Sequence, residues 1–285
     1  MQNYLLFQAY GNSAVKYECK YALHNLLQFD FYKHVIPVIY TDDEYFFKDE
    51  LSLFEHVIIE RLDSEKIKNW RGKINFVHRV KIEMLIEFMN KHEGNILYCD
   101  TDTYFKKSPK MLFDEIGNGK IFMHQKEGEI DKLRFPVFKK WEAFLVGNNL
   151  LSDSSKSSVN KLPMWNAGVI GMSSNHKQVL PQVLDLTDKI YPLFPKHIAE
   201  QFSFSYVLSQ QFTIHSSADY IFHYWYLKEF SGYLEKKFSS AASSPLYKIF
   251  EQIDKHPEEL LNDKLNYMSR VGRLKFLFKK WQINH

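Results

Sequence analysis

Two cysteines, Cys19 and Cys99, are all that a chain of 285 residues carries. They fall on a predicted helix and a predicted buried strand, and neither has a CxxC partner. That argues against a disulfide framework or a structural zinc site, and makes a reducing compartment the expected setting. Charge of one sign is also scarce: 37 Lys and Arg against 34 Asp and Glu leave a net +3, too little for a nucleic-acid groove. No run of 18 apolar residues occurs, so no segment is expected to span a membrane. The N-terminal MQNYLLFQAYGNSAVKY enters a short apolar strand without the basic n-region and long apolar core of a signal peptide. These absences predict a cytoplasmic protein with no nucleic-acid partner. There is no internal repeat and no clear interdomain linker, and the length suits one large domain or two small ones.

What is present is ordinary for a globular protein, with 45% hydrophobic and 25% charged residues, except for 24 Phe and 17 Tyr that favour a large core and ring-stacking surfaces. Apolar runs at 4–10, 35–41 and 56–62 read as strands. Pro37 places the second of them early in its ladder or at an edge. Between the runs lie helical patterns: Val15, Cys19, Ala22, Leu23 and Leu26 after an Asn12/Ser13 cap, then Ile82, Leu85, Ile86 and Met89 within 78–92. Further strands are expected at 120–125, 164–172 and within 213–225, and helices at 177–191 and 197–210. The five serines of 148–161 read as a surface loop. Strands alternating with helices predict an α/β domain with a mainly parallel sheet.

NILYCDTDTYF (95–105) carries the chemistry. An apolar run of this kind is a strand buried on both faces, and its end presents Asp100 and Asp102. Side chains alternate along a strand, so the two carboxylates converge while Thr101 turns away. The pair suits one hard divalent cation, or simply a solvated strand end. Ligands of open α/β sheets bind beyond the carboxyl ends of the strands, where Asp100, Asp102 and also Ala9, Tyr10 and Gly11 are predicted to lie. Gly168 and Gly171 interrupt the MWNAGVIGM strand; each marks close approach by a ligand or another backbone, or a small residue beneath a helix.

The order FQAYG, HRVKIEMLIEF, ILYCDTDTYF, WNAGVIGM, AEQFSFSYVL and a late HYW resembles glycosyltransferases of the GT-A fold. The nearest likeness is to the nucleotide-sugar-dependent group of glycogenin and the bacterial lipopolysaccharide galactosyl- and glucosyltransferases. It covers about residues 3–225. The resemblance implies a Rossmann-like mixed, mainly parallel sheet flanked by helices, forming a catalytic domain over 1–240. A helical, basic and aromatic extension over 241–285 would follow. It implies a hexosyltransferase that takes a nucleotide-sugar, with a UDP-sugar the expected donor, to a glycan or lipid-linked acceptor in cell-surface polysaccharide synthesis.

Carried over residue by residue, the resemblance implies that Asp100, Asp102 and His223 hold Mn²⁺ or Mg²⁺. Ala9, Tyr10, Gly11, Thr41 and Asp42 would line the nucleoside pocket. Arg79 and Lys81 would face the nucleotide-sugar, Thr101 would lie beside it within the acidic motif, and Asn166, Ala167 and Gly168 would lie under the donor sugar. Glu200 and Gln201 would stand beside the reacting carbon, where the group commonly has Asp-Gln. That replacement leaves retention or inversion open. HYWYLKEF departs from the usual Gly and Lys-Pro-Trp after the late histidine, which leaves the phosphate contacts open.

Mixed oxygen and imidazole ligation fits Mn²⁺ better than an all-oxygen cage would. Glu200 could act as a general base, or with Gln201 orient hydroxyls; equally it could be a first-turn glutamate favoured by its helix. Arg79 with Glu83 also reads as an ordinary i,i+4 pair. Two other classes share this fold type: a nucleotidyltransferase acting on sugar phosphates, which would want a richer Gly and basic loop than AYGNSAVKY, and a non-catalytic nucleotide- or sugar-binding protein. At the C-terminal end, Leu274, Leu277, Phe278 and Trp281 share one helical face beside Arg270, Arg273, Lys279 and Lys280. Residues 269–285 thus read either as a membrane-surface helix, giving peripheral contact at the inner face of a membrane, or as a helix packed on the body.

Overall fold

The computed structural model describes residues 1–133, 136–148, 150–151, 159–240, 253 and 256–262. Four apolar runs form its parallel half-sheet: β1 (Asn3–Gln8), β2 (Ile36–Thr41), β3 (Ile58–Arg61) and β4 (Asn95–Cys99). Three more strands, β6 (Ile121–Met123), β9 (Val169–Ser173) and β10 (Ile214–Ser216), complete a seven-stranded sheet of order β10-β6-β9-β4-β1-β2-β3. β9 is antiparallel to both β4 and β6, and the remaining pairs are parallel. Two small antiparallel pairs stand apart from the sheet: β5 (Thr103–Phe105) with β11 (Ile221–His223), and β7 (Lys126–Glu129) with β8 (Pro163–Trp165).

Alternation along β1 sorts the core. Leu5 and Phe7 face one side, with Cys19, Leu23 and Leu26 of α1 (Ser13–Leu26) and Leu112, Phe113 and Ile116 of α4 (Lys110–Gly117). Tyr4 and Leu6 face the other, with α3 (Arg79–Lys91), α6 (Leu180–Ile190) and α7 (Ile198–Gln211). Each fully buried Leu or Phe contributes about 1.5–3 kcal/mol to folding. The remaining helices are α2 (Ser64–Arg71), α5 (Pro136–Gly147) and α8 (Lys228–Ser240). Caps start helices where the sequence supplies them: Asn12 Oδ1 accepts the Ala14 N–H at 2.9 Å, and Asp63 Oδ1 accepts that of Lys66 at 2.8 Å.

Two local expectations change. The 164–172 run is broken at Asn166–Gly168, giving β8 and β9 in different sheets, and 213–225 likewise divides into β10 and β11. Pro37 takes the early position of the two expected for it: it is the second residue of the interior strand β2, which pairs with β3 only from Val38 onward, so the missing N–H falls before that ladder begins.

A third aromatic cluster joins α1 to α8: Tyr21, Tyr224, Phe230, Leu234 and Phe238, with Ile253, Leu260 and Leu261 packed onto it. Residues 269–285, read above as a terminal amphipathic helix, lie outside the described residues, as does most of 241–285. Among the described residues no helix is long and apolar enough to cross a membrane.

Candidate active site

β4 ends at Cys99, and the chain turns at Asp100–Asp102 into β5. Two backbone bonds fix this turn. Asp100 N–H donates to Gly168 C=O at 2.7 Å, and Tyr224 N–H donates to Asp102 C=O at 2.9 Å. The acidic turn is thus clamped between the start of β9 and the end of β11. Because β11 pairs with β5 with His223 opposite Thr103, the imidazole is carried directly over the turn. Carboxylate oxygens of Asp100 and Asp102 and a ring nitrogen of His223 all lie within 4.8 Å of one another.

The tautomer of His223 is set by its neighbours. Asn166 Oδ1 accepts the Gly168 N–H at 3.0 Å, which identifies that atom as the amide oxygen, and it lies 2.9 Å from His223 Nδ1. Nδ1 must therefore carry a proton. The other nitrogen, Nε2, faces Asp102 Oδ1 at 3.0 Å and Asp100 Oδ2 at 3.8 Å. A neutral imidazole would put a lone pair against two carboxylates, so this position calls for a cation or a second ring proton. Two carboxylates and an imidazole Nε2 converging on one point form a donor set that fits Mn²⁺ or Mg²⁺. Burial pushes the Asp102 pKa up, but the hydrogen bond and charge of His223 outweigh it and hold the group below the usual carboxylate range.

Lys81 forms the second half of the site. Buried on α3, its ammonium lies 3.2 Å from Asp100 Oδ1, 3.2 Å from Glu200 Oε1 and 3.1 Å from the Ala167 carbonyl. Burial pulls its pKa down, yet Asp100 and Glu200 outweigh that and raise it to about 12. Glu200, in the first turn of α7, is pushed up to about 7 by burial, which Lys81 opposes and Asp100 reinforces. Tyr98 donates its hydroxyl to Asp100 Oδ1. Asp100, Asp102, Asn166, Ala167, Gly168, Glu200, Gln201, Lys81 and His223 all line one cleft of about 930 Å³.

Other predicted residues lie elsewhere. Arg79 is turned away from the cleft: it forks onto Asp188 at 2.8 and 3.1 Å and reaches Glu83 and the Trp70 carbonyl, each at 2.7 Å. Residues two apart on a helix point about 200° from each other, so Arg79 and Lys81 do not share a face. Thr101 turns its hydroxyl to Glu18 of α1 at 3.1 Å. Ala9, Tyr10 and Gly11 follow directly on β1, with Thr41, the last residue of β2, and Asp42 beside them. Gly11 has φ +82°, and its N–H donates to Asp42 Oδ2 at 3.0 Å while Lys16 holds Oδ1 at 2.9 Å. These five do not line the 930 Å³ cleft. The glycines differ in their reasons. A Cβ on Gly171 would meet Ile116 of α4 at 2.9 Å, the small residue beneath a helix; one on Gly168 would lie 2.1 Å from the His223 ring. The space above Gly168 is filled by that ring.

The sequence reading missed Glu127, His78 and His197, which also line the cleft, as does Trp225 beside the predicted metal histidine. Burial, helped by Lys81, lowers the His78 pKa to about 4 and keeps it neutral. Trp225, 51% exposed, follows directly on the clamped Tyr224, and an aromatic two residues after a predicted metal histidine was its available signal.

No protein-family model matches the chain, and no curated protein matches it in sequence. Solved structures do match. Mouse xyloside xylosyltransferase 1, in its apo form, is 15% identical, with a TM-score of 0.50 over 76% of this chain and 85% of that one. The glycosyltransferase GlyE of Streptococcus pneumoniae TIGR4 is 15% identical with a TM-score of 0.47, and this chain spans 45% of its length. The galactosyltransferase LgtC, in complex with donor and acceptor sugar analogues, is 12% identical with a TM-score of 0.48, over 72% of this chain and 70% of that one. The mixed seven-stranded sheet flanked by helices is the GT-A glycosyltransferase fold.

Proposed function

We propose that the protein is a metal-dependent glycosyltransferase that moves a hexose from a nucleoside-diphosphate sugar, with UDP the expected nucleotide, to a glycan or glycolipid acceptor. The observation that carries this reading is the convergence of Asp100, Asp102 and the Nε2 of His223 on one point beside a cleft that also holds Glu200 and Lys81. A divalent ion held by these three residues would neutralise a leaving diphosphate as a Lewis acid. Asn166 keeps the His223 Nδ1 protonated and its Nε2 directed at the carboxylates. Lys81 places a fixed positive charge between Asp100 and Glu200, and so couples the cation-binding turn to the carboxylate on α7. Glu200, with a pKa of about 7, is poised to take a proton from an acceptor hydroxyl near neutral pH. Gln201 beside it can hold sugar hydroxyls. Lys228, 4.0 Å from Asp102 Oδ2 and exposed, is the cation on α8 that can approach the phosphates. Asp42, Gly11 and Thr41, at the neighbouring strand ends, are the proposed nucleoside contacts.

Calorimetric titration of UDP and GDP with and without Mn²⁺ or Mg²⁺, followed by a hydrolysis screen of nucleotide-sugars, tests the reading. The expected outcome is metal-dependent binding, abolished in Asp102→Asn without loss of fold, and release of nucleoside diphosphate with free sugar. Metal-independent binding without turnover would make the protein a binding module. Release of pyrophosphate from a nucleoside triphosphate and a sugar phosphate would make it a nucleotidyltransferase.

A further inference from the structure

Glu127 lies in the HQKEGEI segment between the sheet and α5, with no sequence signal to mark it. β7 and β8 pair Lys126 with Trp165 and Gly128 with Met164, so two steps along β7 answer one along β8. Glu127 is the extra residue of a β-bulge. Gly128, at φ +148°, supplies the backbone conformation that the bulge needs. Bulges bend a strand and re-aim a side chain, and they recur beside functional sites.

The side chain re-aimed here meets two amides. Glu127 Oε1 accepts from Asn166 Nδ2 at 3.2 Å, and Oε2 accepts from Gln201 Nε2 at 2.9 Å. Asn166 has no freedom to rotate its amide, because its oxygen is held by Gly168 N–H and His223 Nδ1–H. Its backbone is held as well: its N–H donates to Gln125 C=O at 2.8 Å, and its C=O accepts from His124 N–H at 3.1 Å. A continuous path therefore runs from Glu127 through the Asn166 amide to the imidazole, and ends at the nitrogen that faces Asp100 and Asp102.

We propose that Glu127 is a positioning residue that acts through Asn166 to orient His223 toward a bound divalent cation, while its second oxygen fixes Gln201 at the cleft wall. This rests on the ligand set proposed above. An outer carboxylate that polarises the Asn166 amide makes its oxygen a better acceptor, which locks the Nδ1–H tautomer and keeps Nε2 free for the metal.

Substituting the acceptor separates this role from simple charge. In Glu127→Gln one side-chain oxygen survives and can still accept from Asn166, while the Gln201 amide can rotate to accept from the new NH₂ group. In Glu127→Ala nothing accepts from Asn166. Mn²⁺ affinity, read by electron paramagnetic resonance on the full chain with UDP present, is expected to fall roughly tenfold in Glu127→Ala and to stay within about twofold of wild type in Glu127→Gln. The nitrogen modulation of bound Mn²⁺ by the imidazole should weaken in the alanine variant alone. Wild-type Mn²⁺ affinity in Glu127→Ala overturns the proposal. So does a glutamine variant as weak as the alanine one, since charge rather than the hydrogen bond would then be acting. Asp102→Asn is the reference: if neither it nor any Glu127 variant differs from wild type, the ligand set itself falls, which is a distinguishable failure.

Discussion

Gly168→Ala isolates the fit between a glycine and a histidine that are 55 residues apart in the chain. The new methyl carbon would stand 2.1 Å from His223 Cε1 and 2.2 Å from Nδ1. Ordinary contact begins near 3.4 Å, so the ring must retreat by about 1.3 Å, a displacement of the size that costs a site on the order of 100-fold. Retreat is opposed on both sides, by the Nδ1 bond to Asn166 and by the pairing of His223 with Thr103 across β11 and β5. Overpacking of this kind destabilises a fold by about 1–3 kcal/mol. Urea unfolding and Mn²⁺ titration should therefore both register the change, with affinity reduced by about two orders of magnitude. The decisive comparison is a double-mutant cycle. In a His223→Ala background the clashing ring is gone, and Gly168→Ala should then lose most of its stability cost, leaving a coupling energy of roughly 1–2 kcal/mol. An equal cost in both backgrounds would refute the steric account. A variant that keeps metal affinity but loses only donor affinity would support the expectation that a sugar lies against this glycine.

Three further outcomes are expected. His223→Ala should weaken Mn²⁺ binding at least tenfold, whereas His215→Ala should leave it unchanged, because His215 sits on the edge strand β10 against the Phe122 ring, 5.6 Å between centroids. Glu200 has a folded-state pKa raised to about 7 by burial, so between its ordinary value of 4.5 and about 7 the folded state holds a proton that the unfolded chain has released. Its contribution to stability is present below that window and lost as pH rises through it, and Glu200→Gln should become more stable relative to wild type from pH 5 to pH 8 in urea unfolding. Arg79→Ala should lower stability by about 1–2 kcal/mol through the loss of its bonds to Asp188, Glu83 and Trp70, with nucleotide affinity unchanged by calorimetry.

The parts of this molecule that could be read from sequence are those whose cause is local. ILYC (96–99) is an unbroken apolar run, so β4 as a strand buried on both faces, and the acidic turn after it, follow from the local sequence alone. Lys81 and Arg79 show where a pattern misleads: both are basic and near the right strand, but helix phase sends only Lys81 into the cleft. Gly168 was legible as a site of close approach, while the identity of its neighbour depends on β11 returning beside β5, which no periodicity encodes. Glu127 was invisible for a similar reason. Its direction is decided by a bulge that exists only once β7 has paired with β8, 35 or more residues away. Ala9 to Gly11, Thr41 and Asp42, the proposed nucleoside contacts, were placed at strand ends by where the apolar runs of β1 and β2 stop.

Gly171 has no chemistry to offer, yet it acts as a detent for the acidic turn. It lies opposite Leu97 on β4 and Phe122 on β6, and a methyl group on it would stand 2.9 Å from Ile116 Cδ1 and 3.1 Å from Phe122 Cβ, so the isoleucine would have to shift. Sliding β9 by two residues would keep every apolar side chain on its proper face but bring Val169 or Ser173 under that isoleucine, which would have to be displaced. The same slide would carry the Gly168 carbonyl nearly 7 Å from the Asp100 amide, given the rise per residue of an antiparallel strand. Alternation alone tolerates such a slip, because it repeats every second residue. The missing side chain removes the degeneracy. A gauge mark inside the sheet thus determines where, outside it, the histidine, the amide and the two aspartates come to face one another.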